Sequence, residues 1–265
     1  MVSIKSLLKK YGITPKKSLG QNFLAEGPTM AKIVDSLHVQ QDDTVLEIGC
    51  GMGVMTALLA SKCKQVVAVD ADREAIGIAR EEFGDCRNIE WTQGDILKTD
   101  ISSFAQHGKI LVIGNIPYNI SSPIFFHLLG YRAHIKRAVL MIQKEVAQRI
   151  VAKPGGKDYG ALSIMLQSYA KCEKLFNVAA TNFVPQPKVM SSVINLDFTD
   201  SPKNDIPGLR EVVQAAFQKR RKTIKNALGR FDGIEKILAG FGIDPKRRPE
   251  TLSVQEFQDL AQKIS

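Results

Sequence analysis

The chain lacks the features that staple a protein or carry it through a membrane. Its four cysteines, Cys50, Cys63, Cys86 and Cys172, form no Cys-x-x-Cys pair, and its four histidines are scattered. That spacing supports neither a metal site nor a redox site, and it fits a cytoplasmic, reducing home. His127 and Cys172 read as packing or surface residues. No apolar run approaches the length of a transmembrane helix. The segment Met1 to Leu8 lacks the apolar core of roughly 7–15 residues that marks a secretory signal. Internal repeats and low-complexity tracts are absent too. What is present is ordinary globular material, 44% hydrophobic and 24% charged over 265 residues, enough for one large α/β domain and a small second one.

Acid is missing from one end. Residues 1–24 carry five lysines and no carboxylate, residues 25–185 balance at 17 basic and 17 acidic, and residues 186–265 carry 14 basic and 10 acidic. A neutral middle between basic ends suits a small-molecule pocket flanked by phosphate-gripping arms. Lysines also simply solvate helix faces, the preferred reading for Lys9-Lys10. For Lys219-Arg220-Arg221-Lys222 with Lys225, contact with RNA is the preferred reading.

Chemistry concentrates in Asn115-Ile116-Pro117-Tyr118, directly after the apolar run Ile110 to Ile113. An Asn side chain offers an oxygen to an amino N–H. Pro fixes the turn so that the Ile116 carbonyl can point at the same ligand, and Tyr supplies a stacking face. Together they can hold a planar, amino-bearing base. Taken alone, the four residues read equally as a strand-ending turn. Upstream, Val45 to Gly53 runs a β-branched strand into Gly49-x-Gly51-x-Gly53. The dinucleotide fingerprint needs another spacing, with Gly or Ala where Val54 stands. Glu47 would be repelled by a pyrophosphate and suits a ligand with a cationic group, such as the amino acid part of S-adenosylmethionine. The strand Gln65 to Val69 ends in Asp70, where α/β nucleotide binders hold ribose hydroxyls, while Asp72 reads as a helix N-cap. Gly94-Asp95 closes a third strand. It reads as a turn pair or as an acceptor for an adenine amino group. All four sites fall at carboxyl ends of strands, where doubly wound sheets bind ligands.

At this point the chain resembles the ribosomal small-subunit RNA adenine dimethyltransferases, over nearly its whole length. The matching segments are Lys17 to Leu24, Glu47 to Gly53, Asp95, Asn115 to Tyr118, Gln143 to Val146, Lys153 to Gly160, Phe183 to Val189 and Phe217 to Thr223. Cys50 stands where Pro is frequent, and Asp70 replaces a common Glu. The resemblance implies a Rossmann-like class I methyltransferase sheet of seven strands, the last antiparallel, with a small helical carboxyl-terminal domain. It implies S-adenosylmethionine as cofactor, held by Asn22, Leu24, Glu47, Gly49, Gly51, Gly53, Asp70, Asp95, Ile96 and Asn115. Asn115, Ile116, Pro117 and Tyr118 would act on the target base, with Phe183 as a second wall. Lys16, Lys17, Lys219, Arg220, Arg221, Lys222 and Lys225 would grip RNA within a maturing small ribosomal subunit, and the protein would work as a monomer.

Periodicity predicts a lead helix near 28–38, strands at 44–48, 65–70, 88–93, 109–113 and 137–142, a helix near 159–170, and strands at 172–178 and 191–198. The polar stretch Thr199 to Pro207 reads as a linker between a catalytic domain, 1–200, and a helical RNA-binding domain, 206–265. Three rival functions share some of these features. A large-subunit RNA adenine methyltransferase of the antibiotic-resistance type shares the glycine loop and an Asn-x-Pro-Tyr-like turn. A non-catalytic ribosome-assembly factor would share the fold, although intact Asn115, Pro117, Tyr118 and Asp95 speak for activity. A DNA adenine methyltransferase is the weakest of the three.

Overall fold

The computed structural model describes residues 2–202, 204–218 and 222–264. Seven strands form one sheet: β1 (Thr44–Ile48), β2 (Gln65–Asp70), β3 (Ile89–Gln93), β4 (Ile110–Asn115), β5 (Ile135–Gln143), β6 (Lys171–Val178) and β7 (Ser191–Asp197), in the spatial order β3-β2-β1-β4-β5-β7-β6. Strands β1 to β5 pair in parallel, and β7 runs antiparallel to β5. The central strands are largely apolar because helices cover both faces of a parallel sheet, with Glu47 the one carboxylate in β1. Val45, Leu46, Val66, Val112 and Ile113 are fully buried.

The strand order reverses at β1, the topological switch point, so the connections leaving β1 and β4 part to opposite sides of the sheet and leave a crevice beyond the carboxyl ends of the two strands. Gly114 lets these neighbours come together. A Cβ there would lie 2.6 Å from the Ile48 carbonyl oxygen.

The elements expected from periodicity are present, with two differences that matter. The first is a helix at Ile4–Tyr11 in the segment read as merely basic. Ser3 caps it, its hydroxyl accepting from the Ser6 amide, and Lys9 and Lys10 sit in its last turn where the helix dipole favours cations. Ile4 and Leu7 are buried beneath it. The second is that β4 extends to Asn115, which pairs with Met141. Asn115 is therefore the last strand residue and not the first turn residue, and the ladder fixes its backbone.

Two compact units emerge, and neither is contiguous: residues 1–147 with 173–199, and residues 148–172 with 200–265. The expected division at 1–200 and 206–265 is contiguous, whereas here 148–172 groups with 200–265. The reason is visible in the second unit, where the Tyr169 hydroxyl accepts from the Ile206 amide and Gly155 N–H donates to the Glu250 carbonyl. That unit contains the helices Ala161–Gln167, Leu209–Gln218, Ile224–Ala227, Ile234–Gly240 and Val254–Ile264. Among the described residues, no helix is long and apolar enough to cross a membrane.

Candidate active site

A cavity of about 280 Å³ opens in the first unit at the carboxyl ends of the parallel strands. The glycine loop forms its floor. Gly49, Gly51 and Gly53 all have left-handed backbones, with φ of 74°, 55° and 81°, a conformation that side chains rarely adopt. Asp70 clasps the loop from the end of β2: Oδ2 accepts from the Gly51 amide at 2.8 Å and Oδ1 from the Asp72 amide at 2.8 Å. Burial nevertheless raises the Asp70 pKa above the usual carboxylate value. Asp72 caps the following helix by accepting from the Glu74 amide.

Glu47, on β1, is buried with 1% exposure. Burial pushes its pKa up to about 7. It lines a small cavity of about 40 Å³ that shares Phe23, Gly49, Gly51 and Asn115 with the larger one. Its Oε2 has no hydrogen-bond partner. A buried carboxylate oxygen without a donor is costly. A cationic ammonium reaching under the glycine loop would relieve that cost.

The opposite wall comes from β4 and its turn. Asn115 Nδ2 donates to the Asn22 carbonyl at 2.8 Å, so the side-chain oxygen is the group left to accept from a ligand. The Ile116 amide donates to the Met141 carbonyl. Tyr118 is half-buried, and its hydroxyl lies 2.6 Å from Ser191 Oγ. Asp95 caps a 3-10 turn, accepting from the Leu97 amide at 3.0 Å. Asp95 and Ile96 both line the cavity.

Ten of the residues expected to bind ligand therefore meet around one space: Asn22, Gly49, Gly51, Asp70, Asp95, Ile96, Asn115, Ile116, Pro117 and Tyr118. Others lie elsewhere. Gly53 packs away from the cavity as the cap of helix Val54–Ala60, and a Cβ there would stand 2.7 Å from the Trp91 ring. Leu24 and Phe183 pair across a short antiparallel ribbon and are both buried in the core; Leu24 also lines the small cavity beside Glu47, while Phe183 is 2% exposed. Phe183 is thus a packing residue here and not a second wall, because its ring is buried in the core cluster that also holds Val178 and Val193.

Lys16 is engaged as well. Its ammonium lies 2.7 Å from Asp72 and 2.7 Å from Glu74, so it ties the lead segment to a helix start. Lys225 pairs with Glu235 at 2.7 Å, while Lys17 and Lys222 are exposed. Lys219, Arg220 and Arg221 lie outside the described residues.

Residues not singled out from sequence also line the cavity, among them Gly20, Gln21, Phe23, Leu97, Asn119 and Ile124. Gly20, Gln21 and Phe23 sit inside the Lys17–Leu24 motif and Asn119 follows Tyr118, so adjacency to a motif was the available signal. Leu97 and Ile124 carried none.

The model of the ribosomal RNA adenine dimethylase family matches residues 12–265. The chain belongs to that family. It is 41% identical over 276 residues to the ribosomal RNA small subunit methyltransferase A of Anoxybacillus flavithermus, spanning 98% of this chain and 94% of that one. The protein of the same name from Shouchella clausii is 42% identical over 274 residues, spanning 98% and 93%. Among solved structures, a dimethyladenosine transferase from Plasmodium falciparum aligns with a TM-score of 0.78 at 28% identity, covering 90% of this chain and 95% of that one. The 23S rRNA methyltransferase ErmE aligns with a TM-score of 0.71 at 25% identity, covering 92% and 99%. This rRNA adenine dimethylase is accordingly a methyltransferase with a Rossmann-like α/β sheet.

Proposed function

We propose that the chain transfers methyl groups from S-adenosylmethionine to N6 of two adjacent adenosines near the 3′ end of small-subunit ribosomal RNA, giving N6,N6-dimethyladenosine. The observation that carries this reading is the Asn115 amide. Its nitrogen is committed to Asn22, which leaves an oxygen acceptor beside the half-buried Tyr118 ring.

S-adenosylmethionine supplies an electrophilic methyl on a cationic sulfur. The chain's own residues fit such a donor: Glu47 offers its orphaned oxygen to the ammonium, the glycines clear the floor, Asp70 stands at the ribose position, and Asp95 with Ile96 meets the adenine. The exocyclic nitrogen of the target adenine is a poor nucleophile because its lone pair is delocalised into the ring. Accepting its N–H hydrogens, the Asn115 side-chain oxygen and the Ile116 carbonyl draw it toward tetrahedral geometry and aim the lone pair. Alignment and electrostatics then provide the acceleration. No strong base is required, since the proton leaves after the methylated nitrogen has become cationic. The target must first leave its stack, and Tyr118 offers it a new stacking face worth about 1–3 kcal/mol.

The substrate inferred is the maturing small subunit, bound by a monomer in the cytoplasm. The 206–265 region, with its basic stretch at 219–222, serves as the RNA-gripping arm. Support for the small subunit over the large comes from the names of the two bacterial relatives. The test is transfer of labelled methyl from S-adenosylmethionine to small subunits lacking these methylations, with large subunits and DNA in parallel and Asn115→Ala as control. Label in dimethyladenosine of small-subunit RNA, absent with the variant, is expected. Label only on large subunits would establish the resistance-type reading, and binding without transfer would establish an assembly factor.

A further inference from the structure

Among the described residues, six large hydrophobics are notably exposed, and Val189 and Met190, at 42% each, are the two of them that adjoin in sequence. Single exposed apolar residues need no explanation. These two stand next to Ser191, whose hydroxyl is bonded to that of Tyr118 at 2.6 Å. The segment that carries them is held at both ends. Phe183 and Val184 are paired to the lead ribbon, the Met190 carbonyl accepts from the Lys144 amide at 2.9 Å, and Ser191 is buried opposite Gln143. Pro185 and Pro187 stiffen the stretch between. Lys188, exposed, immediately precedes the apolar pair.

A stiff segment, anchored at both ends, that exposes an apolar pair and a neighbouring cation next to the hydrogen-bond partner of Tyr118 suits one task in a reaction that needs an unstacked base. Proteins that open a nucleic acid stack insert apolar side chains, methionine among them, between base steps and anchor the backbone with cations. Resting on the function proposed above, we propose that Val189 and Met190 form a wedge that fills the gap left in the RNA stack by the extruded adenosine, while Lys188 holds the adjoining phosphate. Tyr118 receives the base and the wedge keeps it from returning.

The test uses full-length protein and single-turnover transfer to unmethylated small subunits at saturating S-adenosylmethionine. A V189S/M190S variant is expected to lose at least tenfold in rate, with affinity for S-adenosylhomocysteine unchanged and the unfolding midpoint unmoved, since both side chains are exposed. Met190→Leu, which keeps an apolar tip, should retain the parent rate. On subunits reconstituted with RNA that is abasic beside the target, where the stack is already broken, parent and double variant should differ by less than twofold. An equal loss on both substrates, or no loss on intact subunits, would overturn the wedge. If the parent itself transfers no methyl to small subunits, the functional reading falls first and takes the wedge with it.

Discussion

The glycine-loop side of the cavity, proposed to take the donor, is held by hydrogen bonds between residues close in sequence, and the Asn115 side, proposed to take the acceptor base, by bonds between segments far apart. On the donor side, Gly51 and Asp70 are 19 residues apart and Asp70 and Asp72 only two. On the acceptor side, Asn22 meets Asn115 across 93 residues and Tyr118 meets Ser191 across 73. The first is shaped by backbone conformation at the end of a βα turn. The second is shaped by single side-chain hydrogen bonds that tie the lead segment and β7 to the end of β4. Substitutions on the donor side should therefore appear in stability and donor affinity. Those on the acceptor side should appear in turnover.

Asn115→Ala tests that contrast most severely. It removes the proposed base acceptor together with the Asn22 tether, and should lower kcat by about 10³-fold, in the range of a lost transition-state hydrogen bond. Affinity for S-adenosylhomocysteine should stay within a few-fold, as read by calorimetry. Retained turnover would sink the mechanism.

Glu47 sharpens the other side. Its carboxyl sits near 7 in the fold against an ordinary value of 4.5, so the folded state binds the extra proton and stability falls as pH rises through that window. Glu47→Gln should abolish this dependence and be more stable than the parent above pH 7, by up to about 3 kcal/mol. It should also bind the donor more weakly by about 2 kcal/mol, a hydrogen bond to a charged group. Denaturant titrations at pH 5 and pH 8 would expose a flat difference if the carboxyl were already ionised at the lower pH.

Gly53→Ala places a side chain at φ of 81° and 2.7 Å from Trp91. A stability loss of about 2–3 kcal/mol is expected from strain and overpacking, seen as an earlier urea midpoint. An unchanged midpoint would show that the loop is not held by its glycines.

Tyr118→Ala should cost about 1–2 kcal/mol in kcat/KM for RNA through lost stacking, with little change in donor affinity. Equal losses in both would blur the two sides. The smallest effect belongs to Lys225→Ala. Its partner Glu235 is a surface residue, so stability should shift by less than about 0.5 kcal/mol. A large drop in RNA affinity with stability intact would reveal a phosphate contact made at the expense of that pair.

Much of this was legible beforehand, and for a definite reason. Strand and glycine turn are local properties, so Val45 to Gly53 and Gln65 to Asp70 announced themselves, as did Asp72 as a cap. Phe183 shows where that stops. Beside a Pro-rich turn it reads as a core aromatic, and only the family resemblance made it a ligand wall; the ring is buried in the core, on a ribbon paired with Leu24. Lys16 likewise reads as a free cation until Asp72 and Glu74 are seen beside it. Gly53 matched the glycine motif but serves helix packing, a distinction the pattern cannot carry.

The sequence by itself determined the order and kind of the elements, the α/β class and the residues able to do the chemistry, because helix, strand and turn preferences act over a few neighbours. Only the tertiary structure decided which of those residues share a space, which way Asn115 turns its amide, and that Glu47 lies buried with an oxygen unmatched. Those outcomes depend on contacts between segments separated by many tens of residues, and no local preference encodes them.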